Sequence, residues 1–150
     1  MIDKPEIWFS DLTHTAQGIS AATFPLGISF VLSYAKAQLG GVFDFRLFKF
    51  PLQLEQALQE QIPAMLCFSN YSWNFELAYK FACVAKDRDP KLVTVFGGPN
   101  FPTTREEKLV FLLKRPEIDF YIELEGELGF VDLVEKLDQY GFDSAVLKSR

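Results

Sequence analysis

Apolar residues follow two different spacings along the chain, and the two spacings alternate. Short continuous apolar runs, such as residues 64–68, are typical of strands buried on both faces of a sheet. Between these runs apolar residues recur every three or four positions, which predicts amphipathic helices. The predicted strands cover residues 7–12, 42–50, 64–68, 92–96 and 119–122. The predicted helices lie near residues 25–39, 54–62, 75–86, 103–113 and 130–140.

Strict alternation of strand and helix predicts an α/β fold with a parallel sheet. Parallel strands need crossover connections, which are usually helices, and strands that are apolar throughout need cover on both faces. We therefore expect a doubly wound, five-stranded parallel sheet, with a flavodoxin-like (Rossmann-like) strand order taken by analogy. Residues 1–141 would form this domain. Residues 142–150 have no unit to join and are expected to be a tail or the start of a linker.

Composition and charge narrow the possible partners. The 150 residues are 49% hydrophobic, which suits one domain with a packed core. The 15 Lys and Arg residues are scattered among 20 Asp and Glu, and the net charge of −5 argues against a nucleic-acid partner. No apolar run is long enough for a membrane span, and residues 1–6 lack the pattern of a signal peptide. We therefore expect no membrane partner and a cytoplasmic location.

The two cysteines do not form a recognisable metal or disulfide motif. Cys67 and Cys83 stand in apolar stretches, 16 positions apart. Such cysteines are usually small buried hydrophobic residues.

Candidate chemistry lies where the strands end, because open parallel sheets bind ligands at the carboxyl ends of their strands. After the first strand come Asp11 and His14, and His14 is either a loop histidine or a ligand that Asp11 orients. After the third strand, Ser69-Asn70-Tyr71 is either a helix-entry turn, with Asn74 as the helix cap, or a hydroxyl and an aromatic ring that face a cleft.

The fourth and fifth strands also end in marked segments. Gly97-Gly98-Pro99 is either an ordinary turn or a place where a bulky ligand lies against the backbone. Glu125-Gly126-Glu127 is either a set of acidic residues favoured at a helix N-terminus or, less readily, an acid–base pair.

Several known chemistries lack their motifs in this chain. A GxSxG elbow, a GxGxxG loop and a GxxxxGK[ST] loop are all missing, and one histidine makes a catalytic triad unconvincing. A phospho-acceptor domain of similar fold would carry an aspartate at the end of the third strand, where Ser69 and Asn70 stand.

Taken in order, the strand-end segments resemble the N-terminal cobalamin-binding domain of cobalamin-dependent radical S-adenosylmethionine enzymes. The resemblance covers about residues 7 to 140. Its segments are Pro25–Gly27, Cys67–Asn74, Val95–Pro102, Ile118–Asp119 and Glu125–Phe130.

This resemblance implies a cobalamin-binding module that is not catalytic by itself. The corrin ring would lie over the strand ends and the nucleotide tail would enter between sheet and helices. Ser69, Gly97 and Gly98 would open space for the cofactor, and Tyr71 would flank the ring. The implied cofactor-binding residues are His14, Pro25, Leu26, Gly27, Ser69, Asn70, Tyr71, Gly97, Gly98, Pro99, Glu125, Gly126 and Glu127.

Two departures from the family pattern bear on the metals. In the wider cobalamin-binding fold, an Asp-x-His-x-x-Gly motif in the first loop supplies the histidine that becomes the lower ligand of cobalt. This chain has Asp11-x-x-His14-x-x-x-Gly18, so His14 is the implied metal ligand, with one extra residue in each gap. The CxxxCxxC motif is missing. The [4Fe-4S] cluster and S-adenosylmethionine of this iron–sulfur oxidoreductase class would therefore belong to a barrel domain, a partner in cis or in trans to which residues 142–150 would lead.

Two other functions stay open on the sequence alone. Ser10, Thr13 and Thr15 are faintly similar to the phosphate loop of a flavin-binding flavodoxin-like module, although about ten residues separate them from Pro25 and the first helix. A ligand-free interaction domain would instead show an exposed aromatic patch.

Overall fold

A computed structural model describes residues 4–15 and 24–149. Within these ranges, strands and helices alternate as the sequence predicts. The elements are β1 (Glu6–Ser10), α1 (Leu26–Leu39), β2 (Asp44–Phe48), α2 (Pro51–Glu60), β3 (Met65–Ser69), α3 (Phe75–Arg88), β4 (Val93–Gly97), α4 (Arg105–Leu113), β5 (Phe120–Ile122), α5 (Gly126–Gln139) and α6 (Ser144–Lys148).

The five strands form one parallel sheet in the order β2-β1-β3-β4-β5. This is the flavodoxin-like order, with its switch point between β1 and β3. The predicted doubly wound α/β fold is confirmed. Strand ends differ from the prediction by a few residues: the first strand ends at Ser10 instead of residue 12, because the chain turns there into the loop that carries Asp11.

Alternate side chains of each strand enter two separate cores. Trp8 and Phe96 lie in a core that α2 and α3 cover, and Phe9 and Val95 lie in a core that α1 and α5 cover. This two-sided burial explains why β1, β3 and β4 are largely apolar, whereas the edge strand β2 is mostly exposed. Among the described helices, none is long and apolar enough to cross a membrane.

Helix α4 begins at Arg105, with Thr104 as its N-cap. The Thr104 hydroxyl accepts a hydrogen bond from the Glu107 backbone N–H at 3.3 Å and donates to the Glu107 carboxylate at 2.8 Å. Both contacts stabilise the first turn of the helix.

Residues 142–149 pack against the domain. Asp143 caps the short helix α6, the Phe142 ring lies 5.5 Å from the Phe43 ring, and Leu147 packs against the core that α1 and α5 cover. Lys148 also forms an ion pair with Asp119 at 2.6 Å. Phe142 and Leu147 thus add to that core, which the sequence did not predict. The role of residues 142–150 as a linker stays a prediction.

Candidate functional site

A cavity of about 760 Å³ opens at the carboxyl ends of the strands, on the side of the sheet that α1 and α5 cover. Its inner wall is apolar, with Phe9, Val95 and Phe130 among its lining residues. Such a volume is typical of a site for an organic ligand or cofactor. Its position beside the switch point is where open parallel sheets bind ligands.

The structure brings most of the predicted site residues to this cavity. Those that line it are Gly27, Ser69, Tyr71, Gly97, Gly98, Pro99, Glu125, Gly126 and Glu127. The predicted residues that do not line it are His14, Pro25, Leu26 and Asn70. Pro25 stands at the start of α1 and is buried, and Leu26, in the first turn of α1, is exposed.

Ser69 ends β3 at the floor of the cavity, and its hydroxyl is held by the loop after β1. It donates to Asp11 Oδ1 at 2.5 Å, and the same Asp11 atom accepts from Asn74 Nδ2 at 3.1 Å. The donor capacity of the Ser69 hydroxyl is therefore used, so toward the cavity Ser69 can only accept hydrogen bonds. Asn74 stands at the N-cap of α3 without a side-chain bond to the helix. Its Oδ1 accepts from the Tyr71 N–H at 2.9 Å, and its Nδ2 also donates to Ser69 Oγ at 3.3 Å.

His14 is oriented by a backbone carbonyl and not by Asp11. Its Nε2 atom lies 2.8 Å from the carbonyl oxygen of Trp73. Of the two alternatives for His14, the contacts favour a loop histidine, because Asp11 Oδ1 accepts from Ser69 and Asn74 instead. The part of the chain that the structure describes holds no group of three or more His, Cys, Asp or Glu residues that could bind a metal ion.

Asn70 is buried next to the cavity and holds the loop after β4. Its Nδ2 donates to the Asn100 carbonyl at 2.8 Å and to the Tyr121 hydroxyl at 3.1 Å, and its Oδ1 accepts from Asn100 Nδ2 at 2.9 Å. Its side-chain donors are both used. The side-chain amide of Asn70, which we expected to contact a cofactor, bonds instead to Asn100 and Tyr121.

The two glycines after β4 serve different purposes. Gly98 has φ of +127°, and a Cβ there would lie 2.7 Å from the Asn70 carbonyl oxygen, so the turn itself requires glycine. Gly97 has no such backbone requirement. A Cβ there would come within 4 Å only of Ile122, with the carbonyl oxygen at 3.3 Å, and would otherwise enter open space. Gly97 therefore keeps the cavity floor open.

The mouth of the cavity is bordered by stacked aromatic rings. The rings of Tyr71 and Trp73 lie 4.5 Å apart and nearly parallel, and Trp73 is 61% exposed. A Cβ on Gly27 would lie 3.4 Å from the Tyr71 hydroxyl, so the start of α1 approaches this ring closely. On the other side, Gly126 packs so tightly that a Cβ would lie 2.9 Å from Val31. Gly126 therefore serves the contact between α5 and α1.

The charged residues of the cavity are mostly acidic. Glu123, Glu125 and Glu127 line it together with Lys108, which forms an ion pair with Glu123 at 2.5 Å. Burial raises the pKa of the Cys67 thiol well above its usual value, so this lining residue stays a neutral thiol.

Sequence reasoning missed Phe101, Lys108 and Tyr121. Phe101 and Lys108 line the cavity, and Tyr121 supports it from β5. Phe101 stands two residues after the Gly-Gly-Pro turn, and this position at a strand end could have predicted that it lines the site. Tyr121 gives no such signal, because a tyrosine inside a predicted strand looks like any core residue.

A second, polar groove of about 510 Å³ lies between β2 and α2, and Arg46, Gln53 and Glu60 are among its lining residues. None of the predicted site residues line it.

Comparison with known proteins shows which enzymes contain a similar sequence. The chain is similar to two methyltransferases. It is 31% identical over 129 residues to the 2-(S-pantetheinyl)-carbapenam-3-carboxylate methyltransferase of Streptantibioticus cattleyicolor. The aligned region covers 80% of this chain and 18% of that protein. It is 31% identical over 114 residues to the cobalamin-dependent radical SAM methyltransferase TokK of Streptomyces tokunonensis, covering 73% of this chain and 16% of TokK. The chain thus spans less than a fifth of the length of either relative.

Among solved structures, the fold is similar to that of a CheY-like response regulator receiver domain from Methanospirillum hungatei. The TM-score is 0.58 with 14% sequence identity, over 91% of this chain and 96% of that one. This likeness shows the fold alone. No protein-family model matches the chain.

Proposed function

We propose that this chain is a cobalamin-binding module that works with a radical S-adenosylmethionine barrel domain in cis or in trans. The observation that carries the proposal is that segments from the ends of β3, β4 and β5, singled out by the resemblance, all line one cavity. The similarity to the cobalamin-dependent methyltransferase TokK supports the same cofactor.

The residues of the cavity fit a large cofactor with a long, partly apolar tail. Ser69 and Gly97 present little or no side chain at the floor, and a larger side chain at Gly97 would fill the space between the strands and the helices. Phe9, Val95 and Phe130 would exclude water from the inner part. Tyr71, at the mouth, would lie against a flat ring.

When bound, cobalamin would supply the methyl-transfer chemistry, and this chain would supply position and environment. Ser69 would offer an acceptor to the bound tail, because its own proton is held by Asp11. We assign no metal-ligand role to His14, since its Nε2 already contacts the Trp73 carbonyl and the ring does not line the cavity.

The [4Fe-4S] cluster and S-adenosylmethionine would be held by the partner barrel domain. Cys67 lies in β3 and Cys83 in α3, so these two thiols do not form a cluster site. Exposed apolar residues at the cavity mouth fit such a partner: Phe30 is 56% exposed and Leu124 is 98% exposed. We propose that the complete assembly transfers methyl groups, the activity in the names of both relatives.

A flavin is less well supported by the loop after β1. The backbone N–H groups of Asp11 and Thr13 donate to the carbonyls of Phe48 and Lys49 at 3.0 and 3.1 Å, so a phosphate could not use them. Helix α1 begins after Pro25, which has no N–H to offer. Retention of hydroxocobalamin, but not of a flavin, by the purified chain tests the proposal.

A further inference from the structure

Tyr121 lies outside the cavity lining but contacts two residues that line it. Its ring stacks on the Phe101 ring at 3.7 Å, with 9° between the planes. Its hydroxyl donates to the Gly98 carbonyl at 2.8 Å. One side chain of β5 therefore holds both ends of the stretch from Gly98 to Phe101, which forms one wall of the cavity.

The Tyr121 hydroxyl belongs to a network with little freedom. It accepts from Asn70 Nδ2, and Asn70 exchanges two further hydrogen bonds with Asn100. Asn70 is fully buried, so each of these bonds is costly to leave unmade. The network therefore fixes the direction in which the Tyr121 hydroxyl points.

The turn after β4 is held at two places: the Gly98 carbonyl accepts from Tyr121, and the Asn100 N–H donates to the Asn70 carbonyl at 3.2 Å. Pro99 follows Gly98 and has no N–H, so the Gly98–Pro99 peptide offers the protein only an acceptor. Gly98 also has a backbone conformation that other residues rarely adopt, and it lies against the Asn70 backbone. Without the bond to Tyr121, the Gly98–Pro99 peptide would have no side-chain partner in the described contacts.

We propose that Tyr121 is a positioning residue that sets the place of the Gly98–Phe101 wall and thereby the affinity of the cavity for a corrin. The corrin part rests on the function proposed above. The placement of the wall does not, because it follows from contacts within the chain.

The test compares Tyr121→Phe with Tyr79→Phe in the full chain. Both changes remove one partly buried hydroxyl, and that of Tyr79 donates to Glu117, a residue that does not line the cavity. Hydroxocobalamin titration, followed by the visible spectrum, gives the dissociation constants. We expect Tyr121→Phe to raise the constant about five- to tenfold, the size of one hydrogen bond's net contribution, and Tyr79→Phe to leave it unchanged.

Equal binding by wild type and Tyr121→Phe overturns the proposal, and so does equal weakening by both variants, which indicates general destabilisation. Amide hydrogen exchange without cofactor gives an independent readout, because the Asn100 N–H donates to the Asn70 carbonyl at 3.2 Å. We expect faster exchange at Asn100 in Tyr121→Phe alone, and unchanged exchange overturns the placement claim. A wild-type chain that binds no corrin, both alone and with the barrel domain added, overturns the proposed function, and the exchange comparison then decides the placement.

Discussion

Ser69 and Asp11 join the ends of β3 and β1 through a hydrogen bond of 2.5 Å between the serine hydroxyl and the aspartate Oδ1. These strands flank the switch point of the sheet. The bond holds the loop after β1 against the cavity floor, and Asn74 shares the same acceptor. An aspartate that the sequence suggested as a partner of His14 thus organises the floor instead.

Replacing Asp11 by alanine should destabilise the chain. Ser69 and Asn74 both lose a charged acceptor, and hydrogen bonds to charged groups contribute roughly 1.5–3 kcal/mol. Urea unfolding at neutral pH measures the change. Asp132→Ala is the matched control, because Asp132 forms only an exposed pair with Lys136, worth about 0.5 kcal/mol or less. Equal losses in the two variants would contradict this role of Asp11.

The two glycines after β4 should respond differently to substitution. Gly98→Ala forces an unfavourable backbone conformation and a clash with Asn70, and should cost roughly 1–3 kcal/mol of unfolding free energy.

Gly97→Leu should keep the fold but weaken hydroxocobalamin binding by roughly tenfold or more, because the side chain enters the cavity. Gly41→Leu, at an open position, is the control for both. Undiminished binding by Gly97→Leu would count against the cavity as the cofactor site.

Stability should fall in acid through Asp119. Burial raises the pKa of this carboxyl, but contacts from Lys148, Lys86 and the Thr94 N–H outweigh burial, so the folded-state pKa lies below its usual value. The resulting stabilisation is complete above the unfolded-state pKa of about 3.9 and is lost as the pH falls through the folded-state pKa. Asp119→Asn should lower the unfolding free energy by roughly 1.5–3 kcal/mol at pH 7. It should also reduce the acid limb, which is the fall in unfolding free energy as the pH decreases below about 4. Unfolding curves between about pH 2 and 7 check this, and an unchanged acid limb would exclude Asp119 as its source.

His14→Ala should leave the visible spectrum of bound hydroxocobalamin unchanged. The imidazole contacts the Trp73 carbonyl and does not line the cavity. The spectra of wild type and variant are compared at saturation. A shift of the main absorption bands in the variant would contradict this prediction and indicate that His14 binds cobalt.

The sequence predicted the fold well because its signal is strong and local. Apolar runs and helical spacing determine which segments form strands and helices, and strict alternation leaves few topologies. The packing of Phe142 and Leu147 could not be predicted, because the short apolar stretch around them shows no period of its own. Only their packing against a core built by distant elements makes them part of the domain.

At the site, the sequence identified the strand ends but not the partners of individual side chains. Gly97 and Gly98 look alike in the sequence, yet one faces the cavity and the other completes a turn. Asn70 was expected to face the cofactor and instead bonds to Asn100 and Tyr121, 30 and 51 positions away. Such contacts depend on how two loops meet in space, which spacing along the chain does not encode.

The central claim is that this cavity binds cobalamin, and a direct measurement tests it. The purified chain is mixed with hydroxocobalamin or with a flavin mononucleotide, passed over gel filtration, and the spectrum of the protein peak is recorded. The account predicts that the corrin elutes with the protein and that flavin does not. It also predicts that Gly97→Leu retains less corrin than wild type, while Gly41→Leu retains as much. Corrin that separates from a folded wild-type chain, both alone and with the barrel domain added, would contradict the account.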